Sequence, residues 1–322
     1  MLSRVAHNIY WMQRYRERTE NLARIREVNL ILSTDLPEEQ MDWEALLFAC
    51  AAMDEFKEIY GSVTQPNIVA FFTFERNNPG SLINCIRMAR ENARSVRDAI
   101  TTEMWQELNT IYLYAQNESL ENRTPRDPYH FFNRIKRQCQ LFTGIADTTM
   151  SHGLAWHFGR IGYLIERADM TTRLLDVKYF TPLPGQEMVG GPFDNIQWNA
   201  LLKSVSGLEM YRKKWRNVHY THVIEFLILD REFPRSIHSC LTRCLISLSE
   251  VDERTNNAYI GHAEEAISDM LSYLNRLDHA EIIRYGLHEF IERIQAELNN
   301  IHTAIFDAFF NKDTEIGPLS DQ

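Results

Sequence analysis

A charged pattern of eight positions, Glu-Arg-x-acid-x-x-x-Arg, occurs twice in this chain of 322 residues. The first copy consists of Glu17, Arg18, Glu20 and Arg24, and the second consists of Glu166, Arg167, Asp169 and Arg173. Equivalent positions in the two copies are 149 residues apart. Because the second acid and the last arginine have i,i+4 spacing, each copy fits one face of a helix. Its recurrence in both halves predicts an internal duplication.

The repeat extends beyond the motif. A shift of 155 residues aligns residues 42–85 with residues 197–240 without a gap, and it pairs Trp43 with Trp198 and Cys85 with Cys240. The change of offset requires an insertion of six residues, which we place in the proline- and glycine-rich linker 181–193. We therefore predict two helical repeats that share one core: residues 1–150 with the first motif and residues 151–322 with the second.

Apolar residues recur at spacings of three and four through most of the chain, as in amphipathic helices. The stretches with this pattern are 4–32, 42–60, 81–118, 129–180, 197–216, 237–250, 259–276 and 280–310. Two short apolar segments, 68–74 and 223–229, fit either a strand or a buried helix, and their helical surroundings favour the helix. The predicted fold class is all-α: an internally duplicated antiparallel helical bundle with pseudo-two-fold symmetry.

Composition argues against several classes of function. The net charge of −10 argues against a nucleic-acid partner. No apolar run reaches about 18 residues, which argues against a membrane span, and residues 1–18 do not resemble a signal peptide. Five scattered cysteines form no CxxC pair, which indicates reduced thiols and a cytoplasmic location.

The repeated motif has three interpretations. Because Glu17 and Arg18 point about 100° apart on a helix, their partners are expected on another helix. The first interpretation is a buried ion network, in which Glu17 pairs with Arg167 and Glu166 pairs with Arg18. Such a network costs desolvation free energy, and conformational specificity is a reason to keep it. The second interpretation is a solvated charged face, and the third is a functional polar pocket.

The four acids of the two motifs raise the question of a metal site, because carboxylates from facing helices bind metals in some bundles. The di-iron signature requires Glu-x-x-His, however, and no glutamate in this chain has a histidine at that spacing. An arginine also follows the first acid of each copy and would repel a cation. The HExxH, phosphate-loop and Gly-x-Ser-x-Gly patterns are absent as well. We therefore predict no metal and no cofactor.

One arginine-rich segment distinguishes the first half from the second. Residues 87–98 contain four arginines spaced three or four apart, whereas the aligned residues 242–253 contain one. If these arginines share a helix face, they could clamp a phosphate or carboxylate bidentately. Alternatively, they pair with nearby acids. The candidate residues of this ligand or partner site are Arg87, Arg90, Glu91, Asn92, Arg94, Arg97 and Glu103.

The residues around both motifs resemble those of the bacterial alpha-E domain proteins. The segments that carry the resemblance are 8–24, 89–94, 102–105, 165–179, 225–227 and 233–236, and the resemblance covers about residues 1–310. The chain departs from the family at Gln13 and Arg16, where a small residue and a leucine are usual. It also has Tyr163 where the family usually has an arginine. The resemblance therefore does not support a pocket that needs an arginine at position 163.

The resemblance implies an all-helical protein that works beside other proteins. Members of this family are typically encoded next to a circularly permuted ATP-grasp protein and a transglutaminase-like peptidase, which are the partners it implies. The first functional hypothesis is therefore a non-catalytic helical partner or scaffold of an ATP-grasp system that forms amide or peptide bonds.

The second hypothesis is an enzyme or a binder of an anionic small molecule, with a pocket between the two motif helices. Its candidate residues are Glu17, Arg18, Arg90, Arg94, Glu166 and Arg167. Arg14 and Asn21 lie on the same helical stripe as the first motif. This hypothesis requires that the groups line one pocket open to solvent, whereas a scaffold allows them to be paired and buried. A homodimer is compatible with both hypotheses.

Overall fold

The computed structural model describes residues 1–35, 43–121, 124–180, 190–255 and 260–310. These ranges contain fifteen helices and no strand, so the all-α prediction is confirmed. The helices are α1 (Ser3–Asp35), α2 (Trp43–Ala49), α3 (Met53–Tyr60), α4 (Gln65–Thr73), α5 (Leu82–Ser95), α6 (Thr102–Glu121), α7 (Pro128–Thr149), α8 (Leu154–Phe180), α9 (Pro192–Ser204), α10 (Leu208–Lys214), α11 (Tyr220–Ile228), α12 (Ile237–Thr255), α13 (Ile260–Leu274), α14 (His279–Tyr285) and α15 (Leu287–Phe309). Within the same ranges, no helix has the length and apolar character to cross a membrane.

Local sequence signals explain where several helices begin. Thr64, Asp127 and Asp278 precede α4, α7 and α14, and each side chain accepts a hydrogen bond from the backbone N–H three residues later. Prolines occupy the first turns of α4, α7 and α9, where their missing N–H groups have no helical partner to lose. The short apolar segments 68–74 and 223–229 fall in α4 and α11, apart from the last residue of each, so they are helical as favoured.

Five predicted helical stretches are each divided into two helices. They are 42–60, 81–118, 129–180, 197–216 and 280–310. The breaks after α2 and α9 lie at Ala51 and Ser206, which both have a φ of 50°. In the first of these turns, the N–H groups of Ala51 and Ala52 donate to the carbonyls of Phe48 and Leu47. This helix-ending motif usually contains glycine, so alanine and serine gave no sequence signal of the break.

The two motif helices, α1 and α8, pack against each other. α1 also contacts α5 and α7, and α8 contacts α12 and α15. α2 packs on α8 and α9 packs on α1, so each half covers the motif helix of the other. The largest apolar cluster draws on both halves, with Tyr10 and Phe71 from the first and Leu175 and Phe226 from the second. Most of the predicted linker, residues 181–189, lies outside the described residues.

Gly162 allows α1 and α8 to approach closely. A Cβ atom at this position would lie 2.4 Å from the carbonyl oxygen of Tyr10, a distance that no side chain tolerates. A Cβ atom at Gly159, one turn earlier on α8, would lie 3.2 Å from Cγ of Gln13. This contact brings the charged side chains of the two motifs within bonding distance of each other.

Candidate functional site

Each motif glutamate binds an arginine of the other motif helix. Arg167 donates from Nε and Nη2 to the two carboxylate oxygens of Glu17, at 2.8 and 3.0 Å. Arg18 donates in the same way to Glu166, at 2.5 and 3.0 Å. Both carboxylates are fully buried. The reciprocal pairing predicted from the sequence is therefore present.

The charged residues around the two glutamates form two groups. We call the Glu17 side the group Arg16, Glu17, Glu20, Asn21, Arg24, Arg167 and Arg235. We call the Glu166 side the group Arg14, Arg18, Glu166, Asp169 and Arg173. Each group contains both acids of one motif copy. The arginines that bind these acids differ between the two groups.

On the Glu17 side, Arg235 binds both acids of the first motif. It donates from Nη1 to Glu17 at 3.0 Å and from Nη2 to Glu20 at 2.6 Å, and Nη1 also lies 2.8 Å from Oδ1 of Asn21. Arg24 pairs with Glu20 and donates to the hydroxyl of Ser206 in the turn after α9. These contacts leave the Arg24 side chain only 2% exposed. The Glu17 side is thus closed by arginines from three elements.

On the Glu166 side, the arginines are more open to solvent. Arg14 donates from Nε to Glu166 at 2.9 Å, and Arg173 donates from Nε to Asp169 at 2.9 Å. The side chain of Arg18 is 29% exposed and that of Arg173 is 35% exposed, whereas that of Arg167 on the other side is 12% exposed. The two copies of the motif therefore share their central pair but differ in how far water reaches them.

Both motif glutamates remain ionised at neutral pH. Burial opposes ionisation of Glu17 most strongly, but Arg167, Arg235 and Arg16 outweigh it and hold its pKa well below the usual 4.5. Burial also raises the pKa of Glu166, and Arg18 and Arg14 outweigh it, so that pKa is lowered. A general acid or base for neutral pH needs a pKa of about 7. Neither glutamate fits that role.

Arg16 binds Glu17 where the repeat predicts residue 163 as the partner, because Arg14 binds Glu166 in the other copy. Tyr163 lies 149 residues after Arg14, so the second copy has no arginine equivalent to Arg14. Arg16 donates to Glu17 at 2.9 Å instead, and its guanidinium lies 5.6 Å from the centre of the Tyr163 ring. A cavity of about 40 Å³ borders Arg16 and Tyr163, room for about three waters. This cavity is therefore too small for a substrate.

Two further kinds of catalytic group, a metal cluster and an activated cysteine, were candidates. No three His, Cys, Asp or Glu side chains there could hold a metal ion together. Cys85 and Cys240 are buried, and burial raises the pKa of each thiol to about 12. Because the thiolate is the nucleophilic form, neither cysteine is activated at neutral pH.

Arg90 and Arg94 of the arginine-rich segment contact residues of α5 and α6 rather than the two motif sides. Arg90 donates to Asn109 and Glu91, both at 2.8 Å, and lies against the rings of Trp105 and Tyr112. Exposed Arg94 also pairs with Glu91, at 2.8 Å. The described contacts of Arg90 and Arg94 thus bring in none of the motif acids.

The predicted four-arginine helix face is shorter than expected. α5 ends at Ser95, so Arg97 lies in the following turn, where it stacks 5.0 Å from the ring of Trp105. Arg87 donates to Oδ1 of Asn84 at 3.4 Å. Asn92 donates to the Met88 carbonyl, and Glu103 lies in the first turn of α6. The prediction of one continuous face failed because Val96 ends the helix inside a stretch whose apolar spacing continues.

Sequence reasoning missed Arg16 and Arg235 as partners of Glu17. Arg235 precedes α12 in a loop, where helical periodicity gives no information about side-chain direction. The alignment of the two halves contained a usable signal, because Arg235 is aligned with Gly80, so the second half has a charge that the first lacks.

Comparison with known proteins agrees with this architecture. Residues 1–310 match the Alpha-E family, described as a predicted alpha-helical domain with a conserved ER motif. The chain is also similar to uncharacterized proteins of Mycobacterium bovis and Mycobacterium tuberculosis, each 22% identical over 328 residues. These alignments cover 92% of this chain but 36% of each relative, so the chain spans well under half of their length. No solved structure matches the chain. With the two Glu-Arg pairs at its centre and the family match over nearly its whole length, the chain belongs to the Alpha-E family.

Proposed function

We propose that this chain is a non-catalytic helical partner of an ATP-grasp ligase that forms amide or peptide bonds. The observation that carries this proposal is the state of the two motif glutamates, which are buried, ionised and bound by arginines. Groups in this state hold two helices in register but do not transfer protons or attack a substrate. The ATP-grasp protein is the partner that the family resemblance implies.

We also infer that the chain arose by internal duplication, with a pseudo-two-fold axis between α1 and α8. Three pairs of helices start 155 residues apart: α3 and α10, α4 and α11, and α5 and α12. Ala51 and Ser206 have the same spacing and the same φ of 50°. The reciprocal pairs of Glu17 with Arg167 and of Glu166 with Arg18 support the same relation.

The length of the mycobacterial relatives supports a partner role. In each of them, the region similar to this chain makes up 36% of a longer protein. Evolution often joins, in one chain, domains that act together as separate proteins elsewhere. For this chain, a ligase and a peptidase encoded as separate proteins would take the place of such joined domains. The assembly would work in the cytoplasm, where ATP is available and thiols stay reduced.

The surface of α6 and α7 is the best candidate for the contact. In the described residues these two helices expose Leu113, Leu120, Tyr129 and Leu141, whereas α13 and α15 expose no large apolar side chain. A surface groove of about 430 Å³ on α7 is lined by His130, Asn133, Arg134, Arg137, Gln138 and Leu141. Exposed apolar groups beside arginines are typical of interface residues. The complementary surface of the ligase would be apolar with acidic groups.

Co-purification of this chain with the ATP-grasp protein tests the proposal. We expect association at micromolar concentration, and loss of it in Leu120→Asp. Ile246→Asp on α12 is the matched control, because Ile246 is also exposed but lies on the other half. No association of the wild-type chain at micromolar concentration, or equal losses in both variants, would contradict the proposal. Light scattering of the chain alone would separate a homodimer from the complex.

A further inference from the structure

Two aromatic rings of α6 bring the arginines of the arginine-rich segment together. The guanidinium carbon of Arg90 lies 4.7 Å from the centre of the Tyr112 ring and 5.3 Å from that of the Trp105 ring. Arg97, in the turn after α5, lies 5.0 Å from the centre of the same Trp105 ring. Arg94, one turn after Arg90 on α5, shares the acid Glu91 with it. We call Arg90, Arg94, Arg97, Trp105 and Tyr112 the arginine–aromatic face.

Glu91 is the one acid that binds these arginines in the described contacts. It accepts a hydrogen bond from Arg90 at 2.8 Å and pairs with Arg94 at 2.8 Å. Asp98 and Glu103, the other acids of residues 87–103, make no described ion pair with them. One bound carboxylate therefore serves a face of three arginines, and the bound groups carry an excess of positive charge. This excess stands out in a chain whose net charge is −10.

The arginines of this face keep donors for a further partner. Arg90 uses Nε for Asn109 and Nη1 for Glu91, so its Nη2 makes no hydrogen bond in the described contacts. Arg97 is exposed and makes no described hydrogen bond, and the Arg94 side chain is 64% exposed. Because the aromatic rings already restrict two of the guanidiniums, less conformational entropy is lost when they bind a carboxylate. The face is thus preorganised for anionic groups.

The second half of the chain lacks this arrangement. Its helices α12 and α13 pack against each other as α5 and α6 do. With the 155-residue shift, the positions of the three arginines and two rings are occupied, in order, by Leu245, Ser249, Asp252, Ile260 and Ile267. Packing of such a helix pair therefore does not require the arginines or the rings, and their presence in one half favours a role in binding.

We propose that the arginine–aromatic face binds an acidic, extended segment of a partner protein. Arg90 and Arg94 are one helical turn apart, about 6 Å along the axis. In an extended peptide, side chains on the same side recur roughly every 6.7 Å. Carboxylates at alternate positions of the segment therefore match these two arginines, and Arg97 binds a third. Arginine, tryptophan and tyrosine are also the residue types that contribute most to binding at protein interfaces.

A protein segment fits this face better than a nucleic acid does. A nucleic-acid strand carries one charge per nucleotide along its whole length, so it would extend from the face onto the acidic remainder of the surface. A short acidic segment places its charges on the face alone. The face shares no residue with the α6 and α7 surface assigned to the ligase, so either proposal can fail without the other.

Fluorescence anisotropy of a labelled peptide, titrated with the full chain, tests the face. The probe is a short peptide that alternates glutamate and serine, and the reference peptide has glutamine in place of each glutamate. The main variant is Arg97→Gln, because Arg97 is exposed and its loss breaks no described hydrogen bond. The matched control is Arg254→Gln on α12, which removes an arginine that is 45% exposed and pairs with Glu250.

We expect the acidic peptide to bind the wild type with a Kd below about 100 μM, and more weakly as salt is added. Arg97→Gln should raise the Kd about three- to fivefold, as expected for the loss of one exposed ion pair. Arg254→Gln should bind as the wild type does. In the NMR spectrum, the indole N–H signal of Trp105, identified by its absence in Trp105→Phe, should shift when the acidic peptide is added.

Four results would overturn the proposal. They are no binding of the acidic peptide at about 1 mM, equal binding of the glutamine peptide, equal changes in Arg97→Gln and Arg254→Gln, and tighter binding of an oligothymidylate with the same number of charges. The last result would assign the face to a nucleic acid. Circular dichroism checks that each variant is folded, and Arg94→Gln replaces Arg97→Gln, with the same expected rise in Kd, if the latter unfolds.

Discussion

The Glu17 side and the Glu166 side start from the same motif and end in different surroundings. Each glutamate accepts two hydrogen bonds from one bidentate arginine of the opposite helix. Arg16 and Arg235 then close the Glu17 side, while Arg18 and Arg173 leave the Glu166 side open to solvent. The comparison teaches that the motif fixes how α1 meets α8. Residues outside the motif decide whether the site is sealed.

This division gives a physical reason for keeping a costly buried network. Replacing a buried ion pair by apolar groups is often neutral or stabilising, so such a pair is weak evidence for stability. The contact between α1 and α8 contains two reciprocal ion pairs. Glu17 of α1 binds Arg167 of α8, and Glu166 of α8 binds Arg18 of α1. A shift of α8 by one turn would break both pairs at once. We infer that the network specifies one register between the two halves.

The largest effect should come from removing the charge of each glutamate in turn. Glu17→Gln removes the carboxylate that Arg167 binds and one of the two that Arg16 and Arg235 bind. We expect a loss of about 3–5 kcal/mol in the free energy of unfolding. For Glu166→Gln we expect about 2–3 kcal/mol, because Arg18 can turn towards water. Urea unfolding of the three proteins measures both losses. Equal losses would contradict the distinction between a sealed and an open side.

Acid should weaken the Glu17 side more than the Glu166 side. The pKa of Glu17 is held well below 4.5 and that of Glu166 is lowered, so each contributes stability that is present above pH 4.5. That stability is lost as the pH falls through the folded-state pKa, by at most about 1.4 kcal/mol per pH unit for each acid. Unfolding free energies measured from about pH 5 to pH 3 should therefore fall less steeply in Glu17→Gln than in Glu166→Gln. The reverse order of slopes would assign the deeper pKa depression to Glu166.

A smaller effect is expected when the arginine that closes the Glu17 side is removed. Arg235→Ala deletes contacts to Glu17, Glu20 and Asn21, and we expect a loss of about 2 kcal/mol in stability. The loss is limited because burial and the nearby charge of Arg167 lower the pKa of Arg235 to about 10, a sign of repulsion that the variant relieves. Chemical denaturation measures it. A loss as large as that of Glu17→Gln would mean that Arg235, rather than the motif pair, holds this side together.

The sequence predicted the helical fold and the central ion pairs because both depend on regular spacing. A helix repeats every 3.6 residues, so the motif and its offset of 149 residues were enough to pair Glu17 with Arg167. The turn at Ala51 could not be predicted, since alanine rarely adopts a φ of 50° and nothing in its side chain marks the break.

The charged residues outside the motif were not predictable for a different reason. The partners of Arg235 are 214 to 218 residues away in the chain, and all of them lie in the first half. Arg14, Arg16, Arg18 and Arg24 on α1 bind acids. Arg26 on the same helix is buried against the Phe72 ring without a hydrogen-bond partner in the described ranges, which only the packing reveals. Helical periodicity predicts the direction in which a side chain points from the axis of its helix. It does not predict which other element packs against that side chain.

The smallest predicted effect compares the two turns that end α2 and α9. Ala51→Gly removes the strain of a left-handed alanine, and we expect a gain of about 0.5–1 kcal/mol after the extra flexibility of glycine in the unfolded chain is included. Ser206→Gly removes the same strain but also the hydroxyl that accepts a hydrogen bond from Arg24. A hydrogen bond to a charged group contributes about 1.5–3 kcal/mol, so this variant should be no more stable than the wild type. Thermal and urea unfolding of both variants measure the difference. If Ser206→Gly is as stabilising as Ala51→Gly, the contact of Arg24 with that turn contributes nothing, and the Glu17 side is closed by Arg16 and Arg235 alone.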